Sequence, residues 1–431
     1  MNKNEVLLSG IGIVALLLVA CIGYLLFADR DVYTYHTGLG SKIAISNDDQ
    51  QIAFSIFNNG SEAIYTAKMD GSDVHRVSNP VKAYHRQPTF SPDGKKILYL
   101  SQNRNRIQSL YIANSDGTNP EKLSRNTQHV TEAIFSDDNQ TVFFASTEAE
   151  NVNKSEGETQ DGLDLFSVKI DGTEMEQLTD RDFYTMESLY YSGKDKQVIF
   201  KDYNDTNAFD LEDRRVYMAD FSSELPKDYF NMEISPDNGL VAYTTVSEES
   251  KDSSLFEYDL YLKNLKNGDT QRLTDLNSSV VSPVFLNDKK EILFLKYVNW
   301  PKEPEEYKLM TVDLETKKLR EIALKLPELK RDNFVMMKAV DNSVNGWTLG
   351  ILYTVLFMLI TLYIKPKKVF TPAFISLGIG MLTVAASFVF AFMMDPWAGI
   401  GVGMLAASLL VCSAVLFIFA LILKLYRKGA K

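Results

Sequence analysis

The chain has 431 residues, of which 45% are hydrophobic and 23% charged, a composition that excludes disordered, collagen-like and disulfide-rich proteins. The net charge is −11, and the acidic excess lies entirely in the segment 28–345, because the residues on either side of it carry more Lys and Arg than Asp and Glu. An acidic segment of this kind excludes nucleic acid as a partner, since nucleic-acid binding depends on neutralisation of phosphates by Lys and Arg.

Four uncharged stretches are long enough to cross a bilayer, which needs about 20 apolar residues in a helix. They are Val6 to Phe27, Trp347 to Ile364, Val369 to Met394 and Pro396 to Leu423. The sequence therefore predicts four transmembrane helices and a membrane as the environment of the chain.

The orientation of these helices follows from the basic residues that flank them. Lys365, Lys367 and Lys368 lie between the second and third stretches. The tail after the fourth stretch carries Lys424, Arg427, Lys428 and Lys431. Because Lys and Arg concentrate in cytoplasmic loops, we expect both termini in the cytoplasm and the acidic segment on the extracytoplasmic side of the cell membrane.

The first stretch has a second interpretation, because Leu18 to Cys21 has the residue types of a lipoprotein cleavage site, which would lipidate Cys21. Against this, the apolar run continues from Ile22 to Phe27, where a lipoprotein normally becomes polar. Both interpretations place the acidic segment on the same side. The other cysteine, Cys412, also lies in an apolar run, so no disulfide or thiolate metal site is expected in the acidic segment.

The acidic segment contains six copies of a repeat of about 45 residues. The clearest copy is Phe90-Ser91-Pro92-Asp93-Gly94, followed by an apolar run. Pro presets the first dihedral of a turn, Asp bonds to the turn backbone, and Gly accepts the positive φ of a strand reversal. The equivalent anchor positions are Ser46, Ser91, Ser136, Ser192, Ser235 and Leu286. Later Asp-Gly and Asn-Gly pairs indicate a second hairpin, so each repeat predicts four antiparallel strands.

A small sheet that is apolar on both faces and repeated six times is typical of a β-propeller. The predicted fold is an all-β six-bladed propeller of four-stranded antiparallel blades plus four transmembrane α-helices. The predicted domains are residues 1–28, an N-terminal transmembrane anchor; 29–340, the extracytoplasmic propeller; and 341–431, a three-helix transmembrane domain with a basic cytoplasmic tail. We expect Tyr33-Thr34-Tyr35 to pair into the last blade and close the ring.

At the Ser-Pro-Asp-Gly of 91–94, the Asp-Gly-Thr of 116–118 and the Leu-Thr of 178–179, the sequence resembles the TolB-type (WD40-like) propeller family. The resemblance covers roughly residues 41–325. Members of this family serve as periplasmic binding proteins and as gating domains of peptidases, so the resemblance implies a propeller that binds a ligand outside the cytoplasm. The chain departs from the pattern after Asp220, where Gly is missing, and at Glu315-Thr316, which replaces Asp-Gly.

The chain shows no clear signature of catalysis. It contains no Gly-x-Ser-x-Gly nucleophile elbow, and its histidines, His36, His75, His85 and His129, lack zinc-site spacing, so neither a cofactor nor a metal is expected. No Asp, Glu, Lys, Arg or His lies inside a predicted span, which disfavours transport.

The candidate binding residues lie in connections that we expect at one end of the propeller. They are Trp300, Glu156, Glu158, Asp161, Asp210, Glu212 and Asp213. The acids would form a crescent that attracts a basic partner or divalent cations, or else they are solvated loops that keep the domain soluble. Trp300 is a recognition anchor, or it rests on its own blade or in the bilayer interface.

The sequence thus predicts a membrane-anchored extracytoplasmic propeller that binds or scaffolds a protein or cell-envelope ligand and relays binding to the membrane helices. The alternative is a propeller enzyme of the lactonase or glycan-acting type with its site at the central channel. A transporter with a regulatory ectodomain is a third class. The oligomeric state does not follow from the sequence.

Overall fold

A computed structural model describes residues 3–28, 31–81, 83–154, 161–288, 290–326 and 335–429. The chain forms two compact units. One contains Met1–Arg30 and Asn333–Lys431, and the other is Asp31–Asp332.

The first unit is helical. Its α-helices in the described residues are α1 (Lys3–Phe27), α2 (Val335–Ser343), α3 (Gly346–Tyr363), α4 (Thr371–Met393) and α5 (Pro396–Gly429). Four of these, α1, α3, α4 and α5, are long and apolar enough to cross a membrane. The short helix α2 is additional to the four helices that the sequence predicts.

Small residues bring α4 and α5 together. Gly399 of α5 lies against Ala391 of α4, where an added Cβ would stand 2.3 Å from the Ala391 Cβ. The hydroxyl groups of Ser376 and Ser413 form a buried hydrogen bond of 2.7 Å between the same helices. Close approach and interhelical hydrogen bonds are what hold helices together in lipid, so packing within the chain explains these small residues.

The second unit is built of antiparallel strands. Each sequence repeat contributes four of them, and their order along the chain runs from the centre of the unit outward. The first two repeats form one eight-stranded sheet. Its strands are β1 (Thr37–Ile45), β2 (Gln51–Asn58), β3 (Ser61–Lys68), β4 (His75–Arg76), β5 (Tyr84–Phe90), β6 (Lys96–Gln102), β7 (Gln108–Asn114) and β8 (Glu121–Lys122).

The remaining repeats form four separate four-stranded sheets. The first two are β9 (Gln128–Phe135), β10 (Thr141–Glu148), β11 (Asp164–Lys169), β12 (Glu176–Gln177), and β13 (Glu187–Ser192), β14 (Gln197–Asp202), β15 (Asp205–Asp210), β16 (Arg215–Met218). The other two are β17 (Phe230–Ile234), β18 (Leu240–Val246), β19 (Tyr258–Asn264), β20 (Thr270–Arg272), and β21 (Ser279–Phe285), β22 (Glu291–Tyr297), β23 (Tyr307–Asp313), β24 (Leu319–Glu321).

The anchor residues form the turn between the first two strands of a repeat. The Ser91 hydroxyl donates to Asp93 at 2.7 Å and accepts from the Lys96 amide at 2.9 Å, while Gly94 has a φ of +70°. These side chains make hydrogen bonds within the turn, and Gly accepts the left-handed φ without strain. The turn is therefore favourable whichever sheet its strands join.

The prediction of a six-bladed propeller is wrong. The structure has four blades of four strands and one eight-stranded sheet, which β3 and β5 join through a parallel bridge between Glu62 and Tyr84. The buried Glu62 carboxylate also bonds the guanidinium of Arg86 in β5 at 2.7 Å and 2.9 Å. Pairing between neighbouring repeats depends on such contacts between residues far apart in the sequence. It therefore cannot be predicted from the local pattern of strands.

Hydrophobic packing contributes to closing the ring, and in the part of the chain that the structure describes no strand of the first repeat pairs with one of the last. Ile52 and Phe54 of β2 pack in one core with Leu293 and Leu295 of β22, all of them fully buried. The expectation that Tyr33-Thr34-Tyr35 pairs into the last blade is wrong, because Val32–Tyr35 is a 3₁₀ helix.

Candidate functional site

The innermost strands surround a cavity of about 630 Å³. Each of these strands, β1, β5, β9, β13, β17 and β21, carries a β-bulge, seen as a shift of register against its neighbour. Bulges re-aim side chains and are frequent next to functional sites. The volume lies in the range of small-ligand sites.

A ring of polar residues follows from these bulges. In every repeat, the residue four positions before the anchor lines the cavity. We call these six residues the polar ring: Lys42, Gln87, Glu132, Ser188, Asn231 and Ser282. Some of them bond the backbone of the next inner strand: the Ile43 amide donates to the Ser282 hydroxyl at 3.1 Å, and the Met232 amide donates to Ser188 at 3.2 Å. The ring thus combines a structural role with a polar wall.

Three charged side chains of the cavity interact. The Lys42 Nζ lies 3.8 Å from Oε1 of Glu132. Glu233, which lines the same cavity from β17, lies within the electrostatic range of both. The pKa of Glu233 is raised to about 8, mainly because the group is buried; Lys42 lowers this pKa and Glu132 raises it, each by less than burial does.

These residues do not make a metal centre. Among the described residues, no group of three or more His, Cys, Asp and Glu side chains is arranged to hold a metal ion. Lys42 beside Glu132 would also oppose a divalent cation there.

A second feature lies at the end of the propeller where β18 passes into β19 and β22 into β23, which we call the loop end. Trp300 packs edge-on against Tyr297 and Tyr258, with ring centroids 5.1 Å and 5.9 Å away. Tyr258 in turn packs edge-on against Phe230 at 5.1 Å, and the Lys201 ammonium lies 5.3 Å from the Phe230 ring. We call Tyr297, Trp300, Tyr258 and Phe230 the aromatic row.

The aromatic row lies among exposed apolar groups and acids. Phe230 and Phe256 are 41% and 45% exposed, and the Trp300 indole donates to the Phe256 carbonyl at 2.8 Å. The two loops that carry this contact span 247–257 and 298–306, and their acids outnumber Lys251 and Lys302: Glu248, Glu249, Asp252, Glu257, Glu303, Glu305 and Glu306. Exposed aromatic rings with a charged rim are typical of recognition surfaces.

The structure separates the predicted binding residues into groups. Trp300 belongs to the aromatic row. Asp161 lies at the same loop end but in the third repeat, where the Asn151 amide donates to its Oδ2 at 3.2 Å. Glu156 and Glu158 lie outside the described residues.

Asp210, Glu212 and Asp213 lie at the opposite end of their blade, in the hairpin between β15 and β16. Asp210 accepts the amides of Glu212 and Asp213, both at 2.8 Å, so it caps the hairpin turn. Glu212 pairs with Lys196 at 2.5 Å, and Asp213 with Arg215 at 3.1 Å. These acids therefore do not join the others in a crescent.

Sequence reasoning missed Phe230, Phe256 and the charged residues of the cavity. Two signals were available for them. Leu255-Phe256 is an apolar pair inside a long acidic loop, and every repeat has a polar residue four positions before its anchor. Glu233 gave no signal of its own. It lies two positions before the anchor Ser235, and the equivalent position holds a different type of residue in each of the other repeats.

The fold defines a β-propeller protein with four candidate membrane-spanning helices. Residues 39–259 match the family model of the TolB beta propeller domain, which is more than half of the chain. The chain belongs to this family.

The Tol-Pal system protein TolB of Francisella tularensis is 36% identical over 97 residues. This match covers 21% of the chain and 22% of that relative, so it spans a small part of the relative's length. Among solved structures, TolB from Acinetobacter baumannii is similar with 16% identity and a TM-score of 0.49 over 64% of this chain and 63% of that one. Oligogalacturonate lyase from Vibrio parahaemolyticus is similar with 12% identity and a TM-score of 0.46 over 69% and 82% of the two chains. At these identities and TM-scores, neither structural similarity bears on function.

Proposed function

We propose that the chain is a membrane-anchored propeller that binds a basic polypeptide of the cell envelope through the aromatic row and the neighbouring ring of Phe256. The observation that carries this proposal is the contact between Trp300 and Phe256, which joins two acidic loops and leaves the Phe256 ring exposed beside the half-buried Trp300. Trp and other aromatic residues at the centre of such surfaces supply most of the affinity for a protein partner, while a charged rim steers a partner of opposite sign. Membership of the TolB propeller family supports an envelope role, and so does the similarity to a protein of the Tol-Pal system.

The test is crosslinking and capture of the full-length chain in native membranes. We expect Trp300→Ala and Phe256→Ser each to reduce capture of the main partner at least tenfold, because each removes an aromatic contact worth a kcal/mol or more, about 1.4 kcal/mol being tenfold in affinity. Glu212→Ala, in the β15–β16 hairpin of the fourth repeat and at the opposite end from these loops, serves as the control and keeps full capture. Equal capture by all three variants, with unchanged melting temperatures, would contradict the proposal.

The proposed location is the outer side of the cell membrane, with both termini in the cytoplasm. Four apolar helices and the basic residues of the loop at 365–368 support it. Asn267→Cys at an exposed propeller turn should react with a membrane-impermeant maleimide in intact cells, whereas Lys428→Cys should react only after lysis. The reverse pattern would refute this orientation.

A relay to the membrane helices is the second part of the proposal. The Tyr33 hydroxyl donates to Glu305, in the same loop as Trp300, and the Tyr33 ring stacks on Phe57 with centroids 4.6 Å apart. Tyr33 follows Phe27, the last residue of α1, after a few residues of chain. Partner binding should therefore alter hydrogen exchange in Val32–Tyr35, and an unchanged exchange rate would leave the propeller as a binding module without a relay.

A further inference from the structure

The central cavity contains a carboxylate without a counterion of its own. Glu233 lines the cavity from β17, and among the described residues it has neither a hydrogen bond nor an ion pair. Lys42, the cation whose charge influences Glu233, pairs with Glu132. Ionising an unpaired carboxyl group in a protein cavity is costly, so the group keeps its proton, and a cation that enters the cavity would stabilise the ionised form.

The surroundings restrict which cation fits. A divalent metal needs several oxygen ligands, and the described residues offer no suitable cluster. An ammonium group needs only a few acceptors around a single charge. Glu132, Glu233 and the hydroxyls of the polar ring supply acceptors of this kind.

We propose that the central cavity binds an organic ammonium group, held between the carboxylates of Glu233 and Glu132. The ligand is either the lysine side chain of a polypeptide or a small free amine, and 630 Å³ accommodates both. This site is separate from the aromatic row and does not depend on the proposed function.

The charged and titratable groups that line the cavity set its response to pH. They are Lys42 in β1, Glu132 in β9, Tyr190 and Tyr191 in β13, Glu233 in β17, and Asp137 and Lys194 in the adjoining turns. The lining residues of β5 and β21 in the described part of the chain carry no titratable side chain. Burial raises the pKa of Tyr190 far above the pH range used here, and burial also raises the pKa of the Asp137 carboxyl.

Binding is linked to proton release. In the empty cavity Glu233 is mostly protonated at pH 7, because its pKa is raised to about 8. A bound ammonium favours the ionised carboxylate, so the ligand displaces the proton. The apparent affinity should therefore rise by about 50-fold between pH 6 and pH 8 and level off above that, as one-proton linkage requires.

The experiment is calorimetric titration of the full-length protein in detergent with two probes, N-acetyl-lysine methylamide and putrescine. Repeating it in buffers of different ionisation enthalpy measures the protons released. We expect binding with release of about one proton at pH 7 and the 50-fold gain with pH. Binding of the lysine derivative alone identifies a polypeptide side chain as the ligand, and binding of putrescine alone identifies a small amine.

Variants make the assignment specific. Glu233→Gln keeps the shape of the side chain and should lose proton release and bind at least tenfold more weakly at pH 8. Lys42→Met removes the competing ammonium and should bind more tightly. Glu121→Gln, at an exposed position in β8, is the matched control and should behave as the parent protein.

Three results would overturn the proposal. They are no amine binding at pH 8 up to the millimolar range, amine binding without proton release in the parent protein, and binding of Ca²⁺ in place of either amine. Proton release is measured on the parent protein, so the proposal stays testable even if Glu233→Gln folds poorly.

Discussion

Trp300 in the sixth repeat donates its indole N–H to the backbone carbonyl of Phe256 in the fifth repeat, at 2.8 Å. This bond joins two long loops that no strand pairing connects. The fifth-repeat loop is closed at its own base, where the Ser247 amide donates to the Glu257 carbonyl at 2.8 Å. The exposed ring of Phe256 is thereby held in place, which would reduce the entropy lost if the proposed partner binds there.

Removing the indole should loosen the loop 247–257. We expect Trp300→Ala to speed hydrogen exchange within this loop about fivefold, because one hydrogen bond of about 1 kcal/mol is lost. Trp300→Phe keeps an aromatic ring without the donor, so its exchange rate should fall between those of the parent and the alanine variant. Mass spectrometry of deuterium uptake by the full-length protein measures this, and identical uptake in all three proteins would show that the bond does not order the loop.

The pair that joins the first two repeats should contribute strongly to stability. Arg86 bonds the Glu62 carboxylate at 2.7 Å, and the Glu62 side chain is almost fully buried. Among the residues that the structure describes, Arg86→Ala would leave this buried carboxyl with the Ser55 hydroxyl, at 2.6 Å, as its one remaining partner. We expect a loss on the order of 3–5 kcal/mol in the free energy of unfolding.

An exposed pair provides the control for this loss. Arg214 and Glu176 lie 2.8 Å apart, and about half of each side chain is accessible. Arg214→Ala should cost less than about 1 kcal/mol, because solvent screens the pair. Denaturant titration of both variants compares them, and equal losses would mean that the Glu62–Arg86 pair has no special role in joining the sheets.

The turns and strands were predictable because their causes are local. Ser91, Asp93 and Gly94 make their bonds and their positive φ within one turn, so a short stretch of sequence determines the reversal. The parallel bridge between Glu62 and Tyr84 is different, because it joins residues of two repeats. For that reason the sequence pattern suggested separate blades, and the eight-stranded sheet became visible only in the structure.

The candidate sites show the same division. Trp300 stood out as a tryptophan in a long loop, but its contact with Phe256 crosses from one repeat to the next. The sequence predicts Asp210 in a binding loop, but in the structure it lies at the hairpin turn between β15 and β16. Glu233 became a candidate only when the inner strands enclosed it.

Glu233 should also make stability depend on pH. Its pKa is about 8 in the folded chain, compared with an ordinary value of 4.5 for the unfolded chain. The folded state therefore binds the proton more tightly than the unfolded state. This stabilisation is complete below pH 4.5 and is lost as the pH rises through 8. Over that window we expect the parent to lose a few kcal/mol relative to Glu233→Gln, since each pKa unit corresponds to about 1.4 kcal/mol.

Melting temperatures of the full-length protein at pH 5 and pH 9 measure this difference. Other buried carboxyls also titrate in the parent, but they do so equally in Glu233→Gln, so the comparison isolates one group. Glu121→Gln should follow the parent at both pH values. Parallel curves for the parent and Glu233→Gln would rule out the raised pKa.

The contact that completes the ring can be tested at Gly71. Its φ is +78°, and an added Cβ would stand 2.3 Å from the Ala323 carbonyl oxygen, at the point where Lys325 donates its amide to the Gly71 carbonyl at 2.8 Å. Gly268 has the same φ, and a Cβ there would meet nothing within 4 Å. Gly268→Ala should therefore cost only the backbone strain of about 1–2 kcal/mol. Gly71→Ala carries the same strain and must also displace the segment 323–325, so we expect a larger loss of stability and faster hydrogen exchange in 319–326. If thermal melts find the two variants equally stable, the contact between the first and last repeats does not hold the ring closed.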